Sequence, residues 1–122
     1  ALGRAKDALD PLTRALDIRR RIGAPADVAD SLNNLGSCYF ALGKGKEAEA
    51  AFAEAVAQYR VAFGEENHQT ALALSNLAFV RRANGQAKEA AELGKQALAV
   101  LERTLGPDHP TTQNTRREWV ST

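Results

Sequence analysis

Apolar residues recur three and four positions apart along almost the whole chain, which is the spacing of helices that each bury one stripe. Residues 3–21 carry Ala5, Ala8, Leu9, Leu12, Ala15, Leu16 and Ile18 in this phase. Residues 26–42 repeat it with Ala29, Leu32, Leu35, Gly36, Tyr39 and Phe40, and residues 46–63 with Ala48, Ala51, Phe52, Ala55, Val56, Tyr59 and Phe63. A shorter stripe of Ala71, Leu74, Leu77 and Ala78 predicts a helix over 69–83, followed by a long helix over 86–105 and a mostly polar one over 111–120. Only a few residues separate these segments, so consecutive helices are predicted to run antiparallel. Pro11 falls inside the first segment, where it removes a hydrogen bond and predicts a kink or a late start. Asp27, Glu47 and Glu49 lie near helix starts, where negative charge and hydrogen-bond acceptors suit the free N–H groups.

The long segments are three copies of one pattern. They run Gly3–Gly23, Gly43–Gly64 and Gly85–Gly106, with opening glycines 40 and 42 residues apart and closing glycines 41 and 42 apart. Self-similarity at this period marks a protein of stacked repeats. Five residues after each opening glycine stands Ala8, Ala48 or Ala90, and twelve after it Ala15, Ala55 or Ala97. Nine after it stands Leu12, Phe52 or Gly94, so Gly94 breaks the pattern. In the short helices Leu35 and Leu77 hold equivalent places, each followed by a small residue, Gly36 or Ala78. Small side chains let helix backbones approach and large ones fill the gap to the next repeat. Trp119 aligns with Leu35 and Leu77, which predicts that it packs against the last long helix. Its polar helix reads either as the cap of the stack or as a cut end.

These residues carry a family resemblance. Leu35-Gly36 with Tyr39, the turn glycine Gly43, and Ala48, Phe52 and Ala55 together resemble the tetratricopeptide repeat. The next copy keeps Leu74, Leu77, Ala78, Gly85, Ala90 and Ala97, with Arg81 in place of the tyrosine and Gly94 in place of the phenylalanine. The period and the segments SLNNLG, LSNLA and LGPDHPTT look like the longer, kinesin-light-chain-like variety, whose linker holds Gly-x-x-His-Pro. Gly106 to Pro110 matches that linker, and Gly64 to His68 matches it loosely, with His68 where proline would be. HEAT and armadillo solenoids have periods of about 40–47, but the Leu-Gly-Tyr and Ala-Phe-Ala positions match the tetratricopeptide frame instead. The resemblance implies an all-α, right-handed α-α superhelix of six antiparallel helices. It divides residues 1–122, as one domain and a fragment of a longer protein, into a partial repeat at about 1–23, repeats at 24–64 and 65–106, and a partial repeat or cap at 107–122.

Composition narrows the function by exclusion. Hydrophobic residues at 44% and charged residues at 25% are ordinary for a globular chain of 122 residues. A net charge of +1 leaves no global field to draw in nucleic acid or an acidic membrane. No apolar run is long enough to span a bilayer. The basic run Arg19-Arg20-Arg21 sits at a helix C-terminus, where it complements the dipole, and it lacks the aromatic neighbours that stack bases. His68 and His109 lack metal-ligand spacing and read as caps or solvated linker residues. Cys38, the single cysteine, is expected to be a buried, inert thiol, which fits a cytoplasmic protein. No phosphate loop or nucleophile motif is present. The chain is therefore read as neither an enzyme nor a metal or cofactor binder. The alanine- and arginine-rich composition points to a bacterium with GC-rich DNA.

The resemblance also implies a binding surface. In tetratricopeptide proteins the short helices line the concave groove, and residues beside the Leu-Gly pair hold extended peptides. Carried over, these are Asp30, Asn33, Asn34 and Ser37 in the first short helix, Leu72, Ser75, Asn76, Phe79 and Arg82 in the second, and Asn114, Arg117 and Glu118 in the third. The core of the expected peptide-binding set is Asn33, Asn34, Ser37, Asn76, Phe79, Arg82 and Arg117. Asparagine offers a donor and an acceptor at once, which suits unpaired peptide backbone. Asn34 and Asn76 stand 42 apart in matching places, and Arg82 and Arg117 are suited to meeting a carboxylate. The expected function is binding of a protein or peptide partner. The alternative is self-association through exposed ends, including a homodimer, because Leu9, Leu12 and Leu16 lie on a long helix that lacks a preceding short partner.

Overall fold

Turn chemistry at the glycines sets the architecture. At the ends of two short helices the chain passes through Gly43 (φ 76°) and Gly85 (φ 90°), a left-handed backbone that favours glycine. The same pair of bonds closes both turns. Lys44 N–H donates to the Tyr39 carbonyl and Gln86 N–H to the Arg81 carbonyl, each at 2.8 Å, while Gly43 and Gly85 N–H donate to the Phe40 and Arg82 carbonyls. This Schellman arrangement satisfies the last carbonyls of the helix and reverses the chain.

The computed structural model describes residues 2–120, which form six helices: α1 (Leu2–Ile22), α2 (Pro25–Ala41), α3 (Gly45–Phe63), α4 (His68–Ala83), α5 (Ala87–Thr104) and α6 (Pro110–Trp119). Helices are the only regular elements among the described residues. Each predicted helix is present, with no end shifted by more than one residue. Two expectations fail in α1. The late start does not occur: the helix runs from Leu2 through Pro11, which is exposed to solvent. Gly3 lies within the helix, so it is not a turn like Gly43 and Gly85.

Starts are capped where the sequence supplies an acceptor. The Asn67 side chain accepts from Gln69 N–H at 2.8 Å and Thr70 N–H at 3.4 Å, and the Thr70 hydroxyl donates to the Gly64 carbonyl at 2.9 Å. His109 Nδ1 accepts from Thr111 N–H at 3.1 Å ahead of Pro110. One linker histidine is thus a cap, as expected. His68 is instead the first residue of α4, because Asn67 takes the capping role. Asp27 lies in the first turn of α2 but makes no side-chain cap bond; Pro25 starts that helix instead.

The short helices α2 and α4 pack most extensively on the long helices that follow them, α3 and α5, and α6 packs back on α5. Ala48, Ala55, Ala90 and Ala97 are fully buried at these contacts, as are Ala29 and Ala78 on the short helices. The core runs continuously from α2 to α5 through Phe52, Val56, Tyr59, Leu74, Leu77, Val80 and Leu101. Burying a side chain of this size contributes roughly 1.5–3 kcal/mol. A second cluster joins Leu16 of α1 to Val28, Leu32 and Leu35 of α2.

Gly94 and Arg81, the two departures from the repeat, are both accommodated. Trp119 of α6 lies over Gly94, where any side chain would overlap its ring. Arg81 stands where Tyr39 stands in the earlier repeat and faces Glu49 of α3 at 3.6 Å. An ion-pair ladder crosses the repeats: Arg20 to Glu54 at 2.6 Å, Arg103 to Glu66 through two bonds at 2.7 and 2.9 Å, and Arg116 to Glu102 at 2.7 Å. The Arg103 guanidinium holds the Glu66 carboxyl below its usual range.

Candidate functional site

The short helices α2, α4 and α6 lie side by side on one face. Phe40 of α2 meets Phe79 of α4 edge to face, with ring centroids 5.5 Å apart. Both rings are large apolar groups left in solvent, at 38% and 44% exposure. Beside them is a hollow of about 190 Å³ lined by Ser37, Phe40, Phe52, Asn76, Phe79 and Val80. Its floor reaches α3 because of Gly36: a Cβ there would stand only 2.8–2.9 Å from the Phe52 ring. The missing side chain lets Phe52 come forward between the two short helices.

A second hollow, of about 370 Å³, is polar and lined by Arg19, Asp30, Asn33, Asn34 and Tyr59. The Tyr59 hydroxyl donates to Asp30 Oδ1. Burial first, and the Asp30 bond second, push the Tyr59 hydroxyl well above its ordinary value of 10. Asn33 bonds the same hydroxyl, which opposes that rise. Arg19 donates to the Ser31 hydroxyl at 2.9 Å and the Asp27 carbonyl at 3.1 Å. Asn33 Oδ1 is buried and has no hydrogen-bond partner. An acceptor left unmade in this way costs about 1–3 kcal/mol.

Arg82 closes the face toward α6. Its guanidinium lies 5.5 Å from the Phe79 ring centroid and 4.5 Å from that of Trp119, and it is paired with Glu118. The Trp119 indole N–H donates to the Ser75 hydroxyl at 3.4 Å. Arg117 bonds Asn114 within α6.

The structure thus sorts the residues expected at the site into three groups. Ser37, Asn76 and Phe79 share the apolar hollow. Asn33 and Asn34 line the polar one, so Asn34 and Asn76 serve different cavities despite their matching places. Arg82 and Arg117 are both engaged by residues of α6, and the carboxylate that Arg82 meets is Glu118. Phe40, Arg19 and Tyr59 were not singled out. Phe40 read as part of a buried stripe, Tyr59 likewise, and Arg19 as a helix-terminal charge. The available signal for Phe40 was its alignment with Arg82, three residues before the turn glycine.

A larger hollow of about 500 Å³ lies at the turns, lined by Gly45, Lys46, Glu49, Asn84 and Gln86. Glu49, Asn84 and Gln86 are spent on one another and on the Gly45 carbonyl. Asn84 donates to the Gly45 carbonyl and to Glu49, both at 3.1 Å, and Gln86 donates to Glu49 at 3.3 Å. It is a cross-link between repeats and offers little to a ligand.

Among the described residues, no three histidine, cysteine or acidic side chains are grouped so as to hold a metal. Cys38 is half-buried, not fully buried as expected. No helix is long and apolar enough to cross a membrane. On α1, Ala8 and Ala15 are only half-buried, although their counterparts in α3 and α5 are completely buried, and Ile18 and Ile22 are 57% and 73% exposed.

A family model described as tetratricopeptide repeat matches residues 27–103 and 69–118. Two crystal structures of kinesin-light-chain nearly identical TPR-like repeats from Podosopora anserina, one of them a single-residue variant, superpose with a TM-score of 0.85 at 26% identity. The match covers 96% of this chain and 56% of each of those chains. A search of curated protein sequences found no significant match.

Proposed function

The chain belongs to the tetratricopeptide repeat family, in its longer kinesin-light-chain-like variety, and on that premise we propose that it binds an extended segment of a partner protein along the face built by α2, α4 and α6. Tetratricopeptide repeats are protein–protein interaction modules, and the fold is a scaffold type. The observation that carries the finer reading is the hollow between Phe40 and Phe79. Two exposed aromatic rings, flanked by Ser37 and Asn76, form an apolar socket with hydrogen-bonding edges. Such a socket suits one apolar side chain of a segment whose backbone bonds the asparagines. The chain acts by binding and does not catalyse. A cytoplasmic setting and a bacterial origin belong to this proposal, as does the division of residues 1–122 into two full repeats with a partial one at each end.

The test is capture of peptides from a random nine-residue library, followed by titration of the tightest binder. Phe79→Ala is expected to weaken that binder at least tenfold, and Asn34→Ala or Asn76→Ala by a smaller factor, with little change in melting temperature. Titrations unaffected by all three substitutions would count against the groove.

A second reading, self-association, is favoured by the open flank of α1. Leu16 is buried against α2, and Leu9 and Leu12 are half-buried beside it, so those leucines are not the open side of the helix. The open side presents Ala8 and Ala15, half-buried where their counterparts in α3 and α5 are completely buried, with the exposed Ile18 and Ile22. Sedimentation across a concentration series tests it, and a monomer at every concentration would exclude it.

A further inference from the structure

We infer that the hollow between the long helices α1 and α3 is a second binding site, which takes a lysine or arginine side chain of a partner protein, its aliphatic stem against Leu32, Leu35 and Ala51 and its cationic end at Glu47. None of the groove residues of the proposed function takes part, so the two sites stand or fall separately.

The hollow measures about 260 Å³. Leu16 of α1, Leu32 and Leu35 of α2 and Ala51 of α3 give it apolar walls, and Glu47 and Glu54 of α3 line it on either side of Ala51. It opens between two long helices and not on the face of α2, α4 and α6. Solvent reaches it, because Glu47 and Ala50 are exposed and Tyr39 and Glu54 half-buried. Its volume falls below the roughly 300–1,000 Å³ of a small-molecule pocket and fits one side chain of a protein.

Charge decides the occupant. Two carboxylates line the hollow and no cation does. Glu54 is already bonded to Arg20 at 2.6 Å. Among the described residues Glu47 has neither an ion pair nor a hydrogen bond, and the Tyr39 hydroxyl has no hydrogen bond. Glu47 and Glu54 stand seven residues apart, roughly 10 Å along the helix, too far for one cation to bridge, so Glu47 is the counter-charge. An apolar wall ending at a free carboxylate is complementary to an alkyl stem ending in a cation, which is what lysine and arginine carry.

The next repeat supplies a precedent from within the chain. Arg81 holds the place of Tyr39, and its half-buried guanidinium lies 3.6 Å from Glu49 of the preceding long helix. At the place of Ala51 that repeat has Leu93, which packs against the core. It therefore carries an alkyl cation and a larger wall residue of its own. The first repeat has the smaller Ala51 and an uncharged Tyr39, with its open carboxylate on the following long helix, so stem and charge come from outside.

The experiment titrates the whole chain with n-hexylammonium, followed by amide chemical shifts. Ethylammonium supplies the charge without the stem and n-hexanol the stem without the charge. Hexylammonium is expected to move the amides of Glu47, Ala50 and Ala51 and to bind at least tenfold more tightly than ethylammonium, since each buried methylene is worth about threefold. Glu47→Gln, a change at an exposed residue, is expected to weaken hexylammonium about three- to fivefold and to leave hexanol unaffected. Ala51→Leu is expected to abolish the shifts, and Glu47→Gln decides alone if the added leucine lowers the melting temperature. A blocked tripeptide with a central lysine is expected to move the same amides, and its norleucine counterpart to leave them unmoved. Phe79→Ala should change none of these results. Hexanol binding as tightly as hexylammonium, or Glu47→Gln without effect, would overturn the inference by making the hollow an uncharged socket. Shifts confined to other residues, or a lysine peptide without effect, would overturn it as well.

Discussion

Trp119 occupies the space that Gly94 leaves open, so the largest side chain of the last short helix sits on the residue of α5 that has none. In the preceding repeat the sizes are exchanged. There the long helix supplies Phe52, the smaller Leu77 of the same core cluster stands at the place of Trp119, and Gly36 of the short helix before it leaves room for the ring. The two repeats fill comparable space with opposite partners, which explains a glycine that the pattern alone makes anomalous.

An exchange of sizes predicts a rescue. Trp119→Leu alone leaves a cavity over Gly94 and is expected to destabilise by about 2–4 kcal/mol. Gly94→Phe alone overlaps the indole and is expected to displace α6. Ala78 stands where Gly36 makes room for Phe52, so the Phe52 arrangement is recreated only when Ala78→Gly joins Gly94→Phe and Trp119→Leu. That triple variant should melt above the Gly94→Phe/Trp119→Leu double variant. Because Trp119 is the only tryptophan, a red shift of emission in Gly94→Phe reports the displacement. A triple variant no more stable than the double one would refute the exchange.

Gly36 gives the counterpart. Gly36→Ala gains helix propensity of about 1 kcal/mol, but the added Cβ meets the buried Phe52 ring at 2.8–2.9 Å. Overpacking of this kind costs about 1–3 kcal/mol. Net destabilisation is expected on chemical denaturation, and it should reverse in sign when Phe52→Leu is present.

Arg82 separates stacking from charge. Its pair with Glu118 is more than a third exposed on both sides, so Glu118→Gln is expected to cost less than about 1 kcal/mol. Arg82→Ala removes contacts with two rings as well and should cost about 1–2 kcal/mol. Equal losses in the two variants would mean that the ion pair carries the whole effect.

Tyr59 predicts a loss of stability in alkali. Its hydroxyl is held protonated in the folded chain above its ordinary value of 10, while the unfolded chain releases that proton near 10. The native state then binds more protons than the unfolded state, so stability is complete below about pH 10 and falls as pH rises beyond it. Phenolate absorbance should show one of the two tyrosines titrating late, together with unfolding. Tyr59→Phe should flatten the fall in stability above pH 10, and an unchanged slope would assign it elsewhere.

Much of this is legible along the chain because solenoid contacts are local. The period of 40–42, the stripe of Ala48, Ala55, Ala90 and Ala97, and the turn glycines all describe helices that pack on their sequence neighbours. The binding face was legible only as a set of positions. Asn34 and Asn76 hold the same place in their helices yet line different cavities, because what lies beneath each depends on the residues of adjacent helices. Phe40 read as core for the same reason: periodicity tells which stripe a residue is on but not whether a neighbour covers it.

The sequence by itself determined six helices, their antiparallel order and the family, since each follows from propensity, spacing and turn chemistry within about forty residues. Tertiary structure alone decided that Gly94 is a socket for Trp119, that Arg82 is already paired, and that Asn33 keeps an acceptor unmet where Ser75 does not. Those outcomes depend on which side chains from successive repeats arrive at one point in space. No single helix carries that information.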